Sequence, residues 1–199
     1  MSTPADKRPQ RRRGPALEAA LLDATWDELV ETGFAKLTME SVAARAKTGI
    51  AVLYRRWANK DELVLAALSH YRHSHPADLP DSGTLRGDLL IALIGMGEER
   101  ASFVITAALA GSAGLLAGTG LSPAQARERI FGEQPAVRVQ TIYRRAASRG
   151  EIDLARTPPA VLAMPYDLVR HDLLLRLEPV SRERIRSIVD DLFLPLIRR

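Results

Sequence analysis

The sequence predicts an all-α protein, with an N-terminal three-helix domain of helix-turn-helix type and a larger C-terminal helical bundle. Apolar residues recur at helical spacing, first at Leu22, Trp26, Leu29 and Val30, and no segment shows the alternation of a β-strand. Residues 76–83 concentrate breaker residues, including two prolines and a glycine. The predicted boundaries are therefore a flexible basic arm at 1–15, an N-terminal domain at 16–75 and a C-terminal domain at 76–199.

Composition and the placement of charge narrow the class of protein. The 199 residues are 46% apolar and 26% charged and include no cysteine, which excludes disulfides, thiolate metal sites and cysteine nucleophiles. The net charge is +4: residues 1–60 carry 11 basic and 7 acidic residues, whereas the rest carries 17 of each. This excess predicts that an acidic partner meets the N-terminal part.

Capping and breaker signals define the N-terminal elements in order. A first helix begins at Leu17 and ends at Gly33, a residue typical of helix ends. Thr38 is a good N-cap for a short second helix over residues 39–46. A third helix is expected over residues 50–57 and a fourth over residues 60–73.

The C-terminal part is helical in pattern throughout. Helices are expected near residues 85–97, 101–116, 123–148, 158–177 and 182–197. Ser122 and Ser181 are plausible N-caps for two of them. Pro135 and Pro165 lie inside two of the segments and should kink or split them.

Membrane and enzyme classes are disfavoured. The uncharged stretch 101–126 is long, but its hydroxyl residues and four glycines favour a buried helix in a soluble bundle over a membrane span. The basic run at 7–13 lacks the apolar segment of a secretory signal, so a cytoplasmic location is expected. Residues 111–120 lack the strand and lysine of a phosphate loop, and Asp190 and Asp191 are most simply a solvated helix face. We expect no catalysis, no cofactor and no metal.

Three short helices after a basic arm are the arrangement of a helix-turn-helix DNA reader. The second helix has small residues where the third must cross it, at Ala43, Ala44 and Ala46. The third helix has Leu53 and Trp57 one turn apart, as a buried face requires.

The other face of the third helix carries cations. Arg55 and Arg56 can reach phosphates or guanine edges. Lys60 adds a cation to the free N–H groups at the start of the next helix, which suits a backbone phosphate. A solvated helix face is the alternative for the two arginines alone.

Residues 38–46 (TMESVAARA) and 53–63 (LYRRWANKDEL) resemble the signature of TetR/AcrR-type transcriptional regulators. The resemblance covers about residues 15–70, and the downstream part is similar only in length and helical character. It implies that Thr38 caps the second helix and contacts a phosphate. It also implies that Tyr54, Arg55 and Arg56 face DNA and that Lys60 contacts the DNA backbone. The residues implied at the start of the recognition helix are Thr48, Gly49, Ile50, Ala51 and Val52.

Three positions depart from the family pattern. Lys47 stands where glycine is usual in the turn, so a left-handed conformation there would cost about 1 kcal/mol. Ile50 and Val52 stand where polar residues are common, and they could instead contact thymine methyl groups.

The resemblance further implies a homodimer on a palindromic double-stranded DNA operator. The last two helices usually form the interface as a four-helix bundle. Apolar rows suited to this occur at Leu168, Leu173, Leu174, Leu177, Ile185, Ile188, Val189, Leu192 and Phe193. The alternative is that these rows close the core of a single chain.

The resemblance also implies a small-molecule inducer that releases the protein from its operator. The expected role is therefore that of a repressor. Helices near 89–96 and 103–116 could line its pocket or simply pack tightly. Candidate ligand contacts are Phe103, Tyr143, Arg144, Tyr166 and His171.

Two other functions remain open: a small-molecule-binding protein with weak or non-specific DNA binding, and a non-specific nucleic-acid binder driven by residues 7–13. His70, His73 and His75 form the only histidine cluster. No carboxylate follows closely until Asp78, and histidines are common at helix ends, so a metal site is disfavoured.

Overall fold

The computed structural model describes residues 14–132 and 134–197, without the side chains of residues 134–136. The predicted basic arm thus lies almost wholly outside the described residues. Helices account for most of the described part of the chain, and no β-strand occurs in it. The predicted all-α class is confirmed.

Four helices form the N-terminal part: α1 (Pro15–Thr32), α2 (Met39–Arg45), α3 (Ile50–Tyr54) and α4 (Lys60–Ser74). Gly33 ends α1 with φ of 77°, as predicted, because glycine accepts this backbone conformation without a Cβ clash. The third helix is shorter than expected, since it ends at Tyr54 and the chain continues to Trp57 as a turn.

The C-terminal part begins with α5 (Leu85–Ile94), which continues as a π-helical turn (Gly95–Glu99), and with α6 (Ala101–Ser112). It proceeds through α7 (Pro123–Phe131), α8 (Gln134–Ser148) and α9 (Pro159–Arg176). The last segment is α10 (Arg182–Ser187), a π-helical stretch (Ile188–Phe193) and α11 (Leu194–Ile197). Among the helices that the structure describes, none is long and apolar enough to cross a membrane.

The two internal prolines behave differently. The expected long helix over residues 123–148 is split at Gly132, just before Pro135. In contrast, α9 runs through Pro165 without interruption, so Pro165 does not split this helix. Pro165 is itself buried.

Two hydrophobic cores organise the molecule. The first is built mainly by α1–α4 and has Leu21, Leu53 and Leu63 at 0% exposure. The second is built by α5, α8, α9 and the C-terminal helices, with Leu89, Val169 and Phe193 fully buried.

The cores do not divide at the predicted domain boundary. Phe103 and Ala110 of α6 and Ala126 and Ile130 of α7 belong to the first core. The ring of Phe103 lies 5.5 Å from that of Tyr71 on α4, measured between centroids. Segments from the C-terminal part therefore complete the N-terminal core.

Polar contacts reinforce this junction along α4. At its start, Asn59 Nδ2 donates to the carbonyl of Gly118 at 3.0 Å, and Gly118 N donates to Asp61 Oδ2 at 2.7 Å. In the same first turn, Glu62 forms an ion pair with Arg129 of α7. About two turns further on, Ser69 Oγ donates a hydrogen bond to the Arg129 carbonyl.

The apolar rows at the C-terminus have a divided role. Leu173, Ile185, Ile188, Val189 and Phe193 are completely buried within one chain, which confirms for these residues the alternative of a closed monomer core. Other leucines stay between 40% and 70% exposed on α9 and on the last helical segment: Leu174, Leu175, Leu177, Leu192 and Leu196.

Candidate nucleic-acid interface

The start of α2 is fixed by reciprocal capping. The Thr38 hydroxyl accepts a hydrogen bond from Ser41 N at 3.0 Å, and Thr38 N donates to Ser41 Oγ at 3.1 Å. Both bonds satisfy N–H groups that a helix start would leave free. The prediction that Thr38 caps α2 is confirmed, because Thr38 is the residue directly before the first turn of this helix.

The turn between α2 and α3 passes through a left-handed residue. Lys47 has φ of 52°, as its position in the family pattern predicts. The next residue closes the turn, since Thr48 N donates to the Ala43 carbonyl at 3.0 Å. Ala43 is buried at the crossing of the two helices, whereas Ala44 is exposed, so its expected packing role is wrong.

The helix α3 has one buried and one exposed side. Leu53 is fully buried and Trp57 is 8% exposed, which confirms the predicted core face. Ile50 and Val52 are partly buried against the same core, so less of each side chain is available to DNA than their sequence positions imply. Gly49 is the N-cap residue of α3, and with Ala51 it lies on the exposed side.

The exposed side of α3 and of the following turn is cationic. Tyr54 is 52% exposed, and the exposed Arg55 guanidinium makes no hydrogen bond or ion pair with a described residue. Arg56 makes only a distant contact with Glu18, at 3.9 Å between Nε and Oε2. Surface pairs of this kind are weak, so both guanidinium groups are available to a phosphate or a base edge.

Lys60 is placed differently from the expectation. Its ammonium donates to the carbonyls of Phe34 and Leu37, at 3.2 and 3.4 Å, and lies 4.4 Å from the centre of the Phe34 ring. The side chain thus stabilises the loop between α1 and α2. A phosphate contact would require it to leave these partners.

An ion-pair cluster that the sequence pattern missed connects α1 with α2. Arg45 Nε donates to Glu28 Oε2 at 2.6 Å, and Arg45 Nη2 pairs with Glu31. The hydrogen bond from Arg45 lowers the pKa of Glu28 below its ordinary value. Glu28 and Glu31 lie on α1 and Arg45 on α2, with no fixed spacing between the two helices in sequence, so only the fold brings the arginine to the glutamates.

The candidate ligand residues do not form one site. Phe103 is buried in the N-terminal core, whereas Tyr143 and Tyr166 lie in the C-terminal core. The Tyr143 hydroxyl donates to the Leu162 carbonyl at 2.8 Å, and burial raises the pKa of both tyrosines. Arg144 and His171 are exposed on the outer faces of α8 and α9, away from these interiors.

The histidine cluster makes local contacts. His70 Nε2 lies 3.0 Å from Asp23 Oδ1, which connects α4 with α1. His73 and His75 each donate from Nδ1 to a backbone carbonyl one turn earlier. Within residues 14–132 and 134–197, no three histidine or acidic side chains are grouped as a metal site would require.

Asp190 is not merely a solvated residue. Both of its carboxylate oxygens accept hydrogen bonds from Arg86, each at 2.7 Å. This bidentate pair connects the start of α5 with the C-terminal helical segment, which corrects the expectation for Asp190.

A capped helix, a tight turn and a second helix with a cationic exposed face define a helix-turn-helix DNA-binding protein. Comparison with known proteins makes this more specific. A family model described as bacterial regulatory proteins of the tetR family matches residues 21–67, and one described as a tetracyclin repressor-like C-terminal domain matches residues 79–192. The chain belongs to the TetR family of transcriptional regulators.

Individual relatives agree with this assignment. The HTH-type regulator Rv1556 of Mycobacterium tuberculosis is 33% identical over 92% of this chain and 88% of its own length. The DNA-binding transcriptional repressor TetR of Mycobacteroides abscessus is 42% identical, but the match covers 45% of this chain and 46% of that repressor. Among solved structures, the TetR family regulator SCO0332 is 26% identical over 92% of this chain and 99% of its own, with a TM-score of 0.59.

Proposed function

We propose that the protein is a transcriptional repressor that binds a palindromic operator as a homodimer and is released by a small molecule bound in its C-terminal part. The observation that carries this proposal is the exposed side of α3 and the turn after it, where Tyr54, Arg55 and Arg56 project from a closed core. Two such surfaces related by a two-fold axis require two half-sites about one helical turn of DNA apart.

The exposed leucines support the dimer. A monomer would leave Leu174, Leu175, Leu192 and Leu196 between 40% and 70% exposed on α9 and the last helical segment. Covering such side chains with a second copy removes apolar area from water at about 25 cal/mol per Å². A two-fold axis through this surface produces the four-helix bundle that we propose as the interface.

The junction along α4 supports communication between the two parts. The loop after α6 is bound to the start of α4 through Gly118, and α7 is bound to its middle through Arg129. A ligand that favours another position of α6 and α7 would therefore move α4 and with it the spacing of the two reading helices. The equilibrium shifts only as far as the ligand distinguishes the two arrangements.

Selection of bound sequences from random duplex DNA tests the proposal directly. The full chain is used at about 150 mM salt, where the non-specific phosphate interaction is partly screened. We expect enrichment of an inverted repeat and a dimer by light scattering. Uniform recovery of random sequences by a folded dimer would contradict operator recognition and leave a small-molecule-binding protein as the better description.

A paired variant tests the interface. Replacement of Leu175 by Glu places a charge in the exposed leucine surface and should shift the protein to a monomer without loss of helicity. The matched control is Leu109→Glu, because Leu109 is 48% exposed on α6, outside the proposed interface. Dissociation by both variants, or by neither, would contradict the assignment of this surface.

A further inference from the structure

Three arginines and one tyrosine surround the end of α4 and the segment after it, close enough for the charges of Arg72 and Arg138 to act on Arg100 and for the charge of Arg138 to act on Tyr166. Arg72 lies in the last turn of α4, Arg100 follows the π-helical turn, Arg138 lies on α8 and Tyr166 on α9. All four are only partly accessible to solvent. Like charges are rarely gathered in a protein interior unless something compensates them.

The compensation inside the protein is incomplete. Arg138 donates to the carbonyls of Ala77 and Asp78 in the segment after α4. Within the described part of the chain, the guanidinium groups of Arg72 and Arg100 make no hydrogen bond or ion pair. The nearby carboxylates of Asp78 and Glu99 influence the pKa of Arg100 but pair with none of the three guanidinium groups.

The pKa of Arg100 reports this environment. Burial is the largest cause and lowers this pKa. The positive charges of Arg138 and Arg72 lower it further, whereas the negative charge of Glu99 raises it. Burial also lowers the pKa of Arg138, where Arg72 again adds to the shift. An anion among these groups would relieve both the burial cost and the mutual repulsion.

Tyr166 provides an independent observation. Its hydroxyl is fully buried and is the only such side-chain polar atom, among the residues that the structure describes, without a hydrogen-bond partner. Arg138 is close enough to influence its pKa. A buried hydroxyl without a partner destabilises the folded protein, and ligand sites are where such groups are retained.

The backbone makes room for Arg100. A Cβ at position 95 would lie 2.8 Å from Arg100 Nη2, so the guanidinium folds back over Gly95. Gly95 begins the π-helical turn, a feature that is frequent at functional sites. Flanking positions on the same elements are apolar, as at Met96, Val104 and Leu162, and all pack against the C-terminal core.

We propose that Arg72, Arg100, Arg138 and the Tyr166 hydroxyl form a binding site for an organic anion with an apolar body. This inference rests on the proposed function, because it names the chemical class of the inducer. The anionic group would bind the free guanidinium groups and accept a hydrogen bond from Tyr166, while the apolar body packs beside Met96 and Val104. Since Arg72 belongs to α4, binding would act on the helix that follows the DNA reader.

The test compares anions with uncharged analogues of the same shape. Six probes are titrated calorimetrically into the full-length protein: octanoate, octyl phosphate and octanamide, and phenylacetate, phenyl phosphate and phenylacetamide. We expect at least one anion to bind with one site per chain and at least about tenfold more tightly than its amide, the loss expected for a charge-assisted hydrogen bond. The preferred anion distinguishes a carboxylate from a phosphate ester.

Variants then locate the site. Arg100→Gln should weaken binding about tenfold or more and Tyr166→Phe about fivefold. Gly95→Ala should weaken it as well, because the new methyl group displaces the Arg100 tip and leaves its charge. Arg127→Gln is the matched control, since Arg127 is exposed on α7, and should bind as the wild type does.

A measurement without ligand keeps the proposal testable if a variant changes the fold. Tyr166→Phe removes an unsatisfied buried hydroxyl, so the ligand-free protein should melt at the same temperature or higher. A structural hydroxyl would instead give a lower melting temperature.

Equal binding of anion and amide, binding by none of the six probes, or equal losses in Arg127→Gln and Arg100→Gln would each overturn the proposal. Any of these results with an intact inverted-repeat selection would leave the proposed function standing. Failure of the selection itself would count against that function and not against anion binding.

Discussion

The DNA-reading part and the C-terminal interior place their functional groups in opposite ways. In the reader, Tyr54 and Arg55 project outward from a core in which Leu53 is fully buried. In the C-terminal part, Arg100 and Tyr166 turn inward and lack partners among the described residues. The core of the DNA-reading part is fully packed without a ligand. The C-terminal part keeps buried polar groups without partners, and a ligand that pairs with them would remove this destabilisation.

This difference has a physical consequence for the two kinds of site. An exposed cation on a packed helix is well solvated and contributes little to folding stability. Its substitution therefore affects DNA binding more than folding. A buried polar group without a partner reduces stability, and changing it affects both. The comparison therefore predicts which substitutions change stability and which change affinity.

The largest expected effect concerns the junction of the two parts. Phe103→Ala should reduce the free energy of unfolding by about 3–5 kcal/mol, because the ring packs in the N-terminal core between α1 and α4. Urea unfolding followed by tryptophan fluorescence measures this, since both tryptophans, Trp26 and Trp57, lie in that core.

The control for Phe103 is an exposed residue on the same helix. Leu109→Ala should change the free energy of unfolding by less than about 0.5 kcal/mol. A loss below about 1 kcal/mol for Phe103→Ala would mean that the two cores are independent after all.

The next effect separates affinity from stability. Arg56→Ala should weaken operator binding by about 1–3 kcal/mol and leave unfolding unchanged, because its only ion pair is the distant one with Glu18. Fluorescence anisotropy with the selected operator at several salt concentrations gives both the affinity and the salt slope. Unchanged affinity would remove Arg56 from the DNA contacts.

A pH-dependent effect is expected where α1 meets α2. Because the hydrogen bond from Arg45 lowers the pKa of Glu28 below its ordinary value in the folded state, the carboxylate stabilises the protein above the ordinary pKa of a glutamate. The stabilisation is lost as pH falls through the lowered pKa. Glu28→Gln should therefore cost about 1 kcal/mol at pH 7, and the difference from the wild type should narrow towards pH 3. A constant difference across this range would contradict the ion pair.

The smallest effect has the opposite sign. Lys47→Gly should stabilise the protein by about 0.5–1 kcal/mol, because Lys47 has φ of 52° and glycine adopts this conformation without strain. Thermal unfolding measures it, with Lys36→Gly, on the exposed loop before α2, as a comparison. A lower melting temperature for Lys47→Gly would show that the lysine side chain compensates its own backbone strain.

The sequence predicted most of what depends on neighbouring residues. The cap at Thr38, the stop at Gly33 and the core face of α3 follow from spacings of a few residues, and all three are confirmed. What the sequence did not show involves distant partners. Lys60 faces two carbonyls of the loop before α2, and Asp190 pairs with Arg86 on another helix, and neither partner has a fixed offset in sequence.

The sequence by itself determined the all-α class, the position of the helix-turn-helix unit and the family, because helix periodicity and capping are local and the reader motif is contiguous. Only the tertiary structure decided which apolar rows close the chain's own core and that α6 and α7 complete the N-terminal core. Only the tertiary structure also brings the charges of Arg72, Arg138 and Arg100 close enough to act on one another, and Arg138 close enough to act on Tyr166. Burial and charge compensation are properties of residues brought together from separate helices. A linear pattern contains no distance between such residues, so the interior site could be seen only after folding.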